Sequence, residues 1–113
     1  MHTTSPLNGT GHLTDTRGLH ALDYVRAAIR VLEAAQAKRM NHTDATTVQE
    51  ACDGLDIVQR VVAGEGLWKP AEVAARLRTV SLSIQKCNEP DVRIAHRDIE
   101  SAAGIYQAMV NGL

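Results

Sequence analysis

The serines, cysteines and histidines of this chain are the residues whose chemistry would matter most if they converged. Ser81 and Ser83 lie within a helical pattern, with no histidine nearby in sequence and no glycine elbow before either, so neither reads as an activated nucleophile. The five histidines include no pair at i and i+4 and no Glu-x-x-His, the spacings that place metal ligands on one helix face. Gly64-Glu65-Gly66 follows a helical segment and lacks the downstream Gly-Lys-Ser/Thr of a phosphate-cradling loop. Cys52 and Cys87 are 35 residues apart with no Cys-x-x-Cys pair, each on an apolar helix face, and read as reduced core thiols. The expectation is a protein without metal, cofactor or catalytic machinery.

One histidine invites a sharper reading. Ala95-His96-Arg97-Asp98-Ile99 has a faint likeness to a histidine phosphotransfer domain, where an exposed histidine on a four-helix bundle carries a phosphoryl group. Such domains place Lys and then Gly soon after the histidine. Here Asp98 and Glu100 occupy that region, and their charge opposes an incoming phosphoryl group.

The elements that must position these residues follow from composition and periodicity. The chain has 113 residues, with 12 Lys and Arg against 13 Asp and Glu, and 44% hydrophobic residues. That balance suits one domain with a modest core and offers no general attraction to phosphate backbones or anionic lipid. Nucleic acid and membrane are therefore not expected partners. Residues 1–14 contain only Leu7 and Leu13 as large apolar side chains, so they read as a flexible, disordered tail without the apolar core of a signal peptide. Charges interrupt every later apolar run, short of the roughly 20 residues a membrane helix requires. The expected protein is soluble and cytoplasmic, with a helical interaction domain over residues 15–113.

Four helices account for that domain. The first is predicted from Thr16 to Met40, capped by Asp15 or Thr16, with Leu22, Val25, Ile29 and Leu32 along one face. Asn41 and His42 break the pattern. The second starts at Thr43 or Asp44, presents Val48, Ala51, Leu55, Val58 and Val62, and stops at Gly64. Pro70 opens the third, whose stripe is Val73, Leu77, Val80, Ile84 and Cys87; Pro90 opens the fourth, with Val92, Ala95, Ile99, Ala102, Tyr106 and Met109 inward. Short connections fold consecutive helices back on one another, so the predicted fold is all-α, a small antiparallel bundle of about four helices. With no Phe and many Ala, its core is thin.

Turning those stripes inward leaves Val31, Ile57, Val61, Leu82, Ile94 and Ile105 without an obvious place. They serve either as a wider core or as a surface for a partner. Trp68, beside Leu67 in a glycine-flanked connection, reads either as a lid over one end of the bundle or as an exposed anchor. The predicted partner-binding set is Ile57, Val61, Leu67, Trp68, Leu82, Ile94 and Ile105.

The run of the chain resembles the QslA-like quorum-sensing antiactivators over essentially its full length. The likeness is carried by Met1-His2-Thr3-Thr4-Ser5-Pro6, by Gly18-Leu19-His20-Ala21-Leu22-Asp23-Tyr24-Val25 and by Gly64-Glu65-Gly66-Leu67-Trp68-Lys69-Pro70, none of which is a chemical motif. The resemblance implies a non-enzymatic inhibitor that binds the ligand-binding domain of a LuxR-type transcription factor, LasR, and occupies its dimerisation surface. It supplies no residue-level site, so the partner-binding set above comes from the apolar pattern alone. A homodimer would draw on the same surface. The alternatives are a phosphotransfer module using His96 and a helical structural or assembly subunit.

Overall fold

The computed structural model of the chain describes residues 16–64, 68–87 and 89–112. The expectations for the tail, residues 1–14, and for Leu67 lie outside these. Four helices follow one another: α1 (Thr16–Gln36), α2 (His42–Ala63), α3 (Pro70–Ile84) and α4 (Pro90–Val110). Each packs against its neighbours in a ring, α1 on α2, α2 on α3, α3 on α4 and α4 on α1, which puts α2 and α4 at opposite corners. This is the expected bundle of four helices.

The ends of the helices differ from the sequence reading in ways that capping chemistry explains. Asn41 breaks the pattern because it is the N-cap of α2: its backbone is extended and its side-chain oxygen accepts from the Asp44 backbone N–H at 2.8 Å. The helix therefore begins at His42, ahead of the expected Thr43 or Asp44. To reach that cap the chain must leave α1 early, and the first helix ends at Gln36, short of Met40. Lys38, freed from the helix, pairs with Asp91 in the first turn of α4 and lies 3.8 Å from Glu89, tying the α1–α2 connection to α4. The Asp91 hydrogen bond raises the Lys38 pKa. Likewise α3 stops at Ile84, and Cys87 lies in the turn beyond it, its N–H donating to the Ile84 carbonyl at 3.1 Å.

The core is thin in the expected sense, yet complete. Leu22, Val25, Leu32, Val48, Leu55, Val58, Val62, Leu77, Ile84, Val92, Ile99 and Tyr106 are all buried to within 1%. Ile29 is the exception to the first stripe, only partly buried at its flank. Small residues do the rest. Ala21, Ala28 and Ala35 recur every seven residues along α1, and Ala95, Ala102 and Met109 do so along α4, all buried. Seven residues are nearly two turns, so each set stacks as a smooth ridge, and α1 with α4 is the most extensively packed pair in the bundle. Alanine ridges let two backbones approach closely, which compensates for the absence of Phe.

Gly54 has a comparable role on α2. A Cβ there would stand 2.9 Å from Val80 Cγ2 on α3, so glycine permits the close approach of these helices. Gly104 on α4 has nothing within 4 Å of its would-be Cβ and is simply tolerated.

Candidate functional site

The apolar residues left over by the helical stripes divide once the bundle is assembled. Val31 and Ile105 pack partly buried against the core. Ile57 and Val61 are each 43% exposed, Leu82 is 64% exposed and Ile94 is 49% exposed. Of the predicted set, Ile105 thus belongs largely to the wider core, because it flanks the buried Ala102 and Tyr106 row on the side where α4 meets α1.

Trp68 is corrected from exposed anchor to core. It is 97% buried, with relative exposure of 3%, and its ring meets Tyr106 edge to face at a centroid distance of 5.3 Å. Tyr106 in turn donates its hydroxyl to the Gly18 carbonyl at 3.3 Å. A large aromatic placed just before Pro70 has nowhere to bury itself except over the open end of the bundle, which is the lid reading. Among the described residues its indole Nε1–H finds no hydrogen-bond partner.

The exposed apolar residues do not form one strip. Ile57 and Val61 are one turn apart on α2 and share a face. Leu82 points outward from α3, nearly opposite the buried Leu77 and Ile84. Ile94 is on α4, at the corner diagonal to α2. Two further exposed apolar residues escaped the sequence reading, Leu19 at 39% and Val110 at 41%. Leu19 was hidden by its position beside the α1 stripe, and Val110 continues the inward row of α4 beyond the point where the bundle covers it.

The seam between α2 and α3 carries two depressions. One, of about 320 Å³, is lined by Glu50, Gly54, Arg76, Thr79, Val80 and Ser83. The other, of about 170 Å³, includes Val58, Val61, Trp68, Lys69, Glu72 and Arg76 in its lining. Arg76 is common to both. A separate shallow hollow of about 390 Å³ lies between the start of α1 and the end of α4, where Arg17, His20, Ile105 and Ala108 meet.

The structure also assembles polar residues that are far apart in sequence. Ser81 Oγ lies 2.9 Å from His96 Nε2 and donates to Glu100 Oε2 at 2.5 Å, across the α3–α4 interface. A serine hydroxyl has one proton, so with Glu100 taking it, the histidine nitrogen donates and the chain runs His96 to Ser81 to Glu100. That order is unsuited to nucleophilic catalysis: the carboxylate binds the serine instead of orienting the imidazole, and Ser81 is only 3% exposed. The cluster is a polar clamp. Its sequence signal was weak, because only packing makes a serine on α3 the neighbour of two residues one turn apart on α4.

The thiols are shielded. Burial, followed by the charges of Glu33 and Asp53, pushes Cys52 up to about 11, and burial followed by Asp44 raises Cys87. Both are free. Among the described residues no group of three His, Cys, Asp or Glu side chains could hold a metal ion, and no helix is long and apolar enough to cross a membrane.

No family model, no curated protein and no solved structure matches the chain.

Proposed function

We propose that this protein is a QslA-like antiactivator that binds the ligand-binding domain of a LuxR-type transcription factor, LasR, and occupies its dimerisation surface. The observation that supports the reading is the exposure of Ile57, Val61, Leu82 and Ile94 on a bundle whose core is complete without them. Large apolar side chains that no longer contribute to the interior are available to replace a receptor's own apolar self-contact. LuxR-type activators read two half-sites as dimers, so an inhibitor that caps the pairing surface removes DNA binding without touching DNA. A chain with formal charge -1 is suited to that role. Each receptor monomer held by the inhibitor is withdrawn from the dimer equilibrium, which raises the concentration at which the receptor activates.

The phosphotransfer alternative requires an open His96 Nε2 in positive surroundings. Arg93 lines a hollow with His96, but Ser81 occupies Nε2 and Glu100 stands on the same hydroxyl.

The test is co-purification with the LasR ligand-binding domain, followed by light scattering. The expected complex holds a single receptor chain. Ile57→Asp should abolish that complex while leaving helical content intact, since Ile57 is exposed and outside the core. Separate elution of the two wild-type proteins at micromolar concentration would end the proposal.

A further inference from the structure

We infer that the hollow between the start of α1 and the end of α4 seats residues 1–15 of this same chain, the segment leading into α1, with Leu13 as the side chain that fills it. This seat belongs to the chain itself and does not depend on the antiactivator reading.

Two short rows make the hollow. Thr16, Arg17 and His20 lie along the first turns of α1, and Ile105 and Ala108 lie three residues apart on α4. The other flank of each helix is already occupied. Arg26 donates to Gln59 at 3.1 Å and Gln36 to Gln49 at 2.6 Å, which turns that side of α1 to α2. Ser81 meets His96 and Glu100, and Arg78 donates to Gln107 at 3.5 Å, which turns that side of α4 to α3. Among the described residues, no third helix lies over the α1–α4 seam. The walls of the hollow are nearly all apolar and Ile105 is only partly buried, so a volume of about 390 Å³ beside the core stays open to an apolar side chain.

The position of the hollow selects its occupant. Thr16 lines it and is also where residues 1–15 join α1. Leu13 stands three residues before Thr16 and is the one large apolar side chain between Asn8 and Asp15. Three residues of extended chain reach about 10 Å, whereas the hollow runs from Thr16 to His20, about 6 Å of helix. A chain that turns back along α1 therefore brings Leu13 over Ile105 and Ala108. Attachment at the rim gives the segment an effective concentration on the order of millimolar, so it takes the seat ahead of a second copy of the protein.

The experiment uses the full chain carrying Leu13→Cys and Ala108→Cys, oxidised mildly and mapped by proteolysis and mass spectrometry, with Leu13→Cys and Leu82→Cys as the reference pair. Leu82 is exposed on α3, away from the hollow. A disulfide between positions 13 and 108 of one chain should form at least about 10-fold faster than the reference disulfide. Mapping separates both from bonds to Cys52 or Cys87. Equal rates overturn the inference, and so does a bond formed only between two chains, because a second copy then covers the hollow. A stability measurement stands beside it: Leu13→Asp should lower the melting temperature by about 5 °C, and Leu82→Asp should leave it nearly unchanged. An unchanged melting temperature for Leu13→Asp overturns the inference even where the cross-link forms, since the leucine is then not buried. A fall without the cross-link seats Leu13 elsewhere on the bundle and overturns it too.

Discussion

Ser81 on α3 and His96 on α4 are joined by a 2.9 Å hydrogen bond that Glu100 extends, so this pairing of serine and histidine fastens two helices together. Ser81→Ala should cost about 1–3 kcal/mol, read as a lower urea midpoint with an unchanged slope. Ser81 is buried while Glu100 is exposed and His96 half-buried, so the loss is that of the charge-assisted bond joining α3 to α4, the two α4 groups regaining water. Ser81→Thr at the same site keeps the hydroxyl and separates hydrogen bonding from packing.

Gly54 and Gly104 should respond to the same substitution with opposite signs. Gly104→Ala meets open space and should stabilise the protein by about 0.5–1 kcal/mol through helix propensity. Gly54→Ala forces a methyl against Val80 Cγ2, on a side chain with few rotamers to escape into, and should destabilise by about 1–2 kcal/mol. Thermal melts of the two variants, together with the Gly54→Ala and Val80→Ala pair, check this: the double variant should be more stable than the two single effects added.

Trp68 should tolerate one truncation much better than another. Trp68→Ala removes the lid over Tyr106 and should cost about 3–5 kcal/mol. Trp68→Phe keeps a ring in place while deleting the unsatisfied Nε1–H, so its cost should be no more than about half as large. Chemical denaturation of both variants decides the matter; equal losses would mean that the indole N–H carries a bond after all.

Cys52 should be a slow thiol. With its pKa pushed to about 11 from an ordinary 9.0, alkylation by iodoacetamide at pH 8 should run roughly 100-fold slower than at an unperturbed cysteine. The same shift sets a direction for stability. The folded protein holds the thiol proton more tightly than the unfolded chain, so stability is full below pH 9 and declines as the pH rises toward 11. Cys52→Ser should flatten that decline, measured as melting temperature against pH.

Much of this architecture was legible in the order of residues. Pro70 and Pro90 mark two helix starts because proline suits a first turn that needs no N–H. The stripes of α2, α3 and α4 are buried as their spacing requires, since a helix of period 3.6 has only one face to turn inward. Asn41 was visible as a break but not as a cap, because the same residue type ends one helix and begins the next.

What the amino-acid order determined by itself was local: four amphipathic segments, their breaks, and a surplus of apolar side chains that the stripes did not use. Tertiary structure alone decided the fate of that surplus. It buried Trp68 over Tyr106, drew Val31 and Ile105 against the core, and left Ile57, Val61, Leu82 and Ile94 outside. It also brought Ser81 to His96 and set Arg76 between two hollows. The physical reason is that periodicity specifies a face within one helix, whereas exposure and neighbours depend on the rotation and separation of helices relative to one another. In this bundle those are set by contacts between distant residues: alanine ridges that bring α1 to α4, and a glycine that brings α2 to α3.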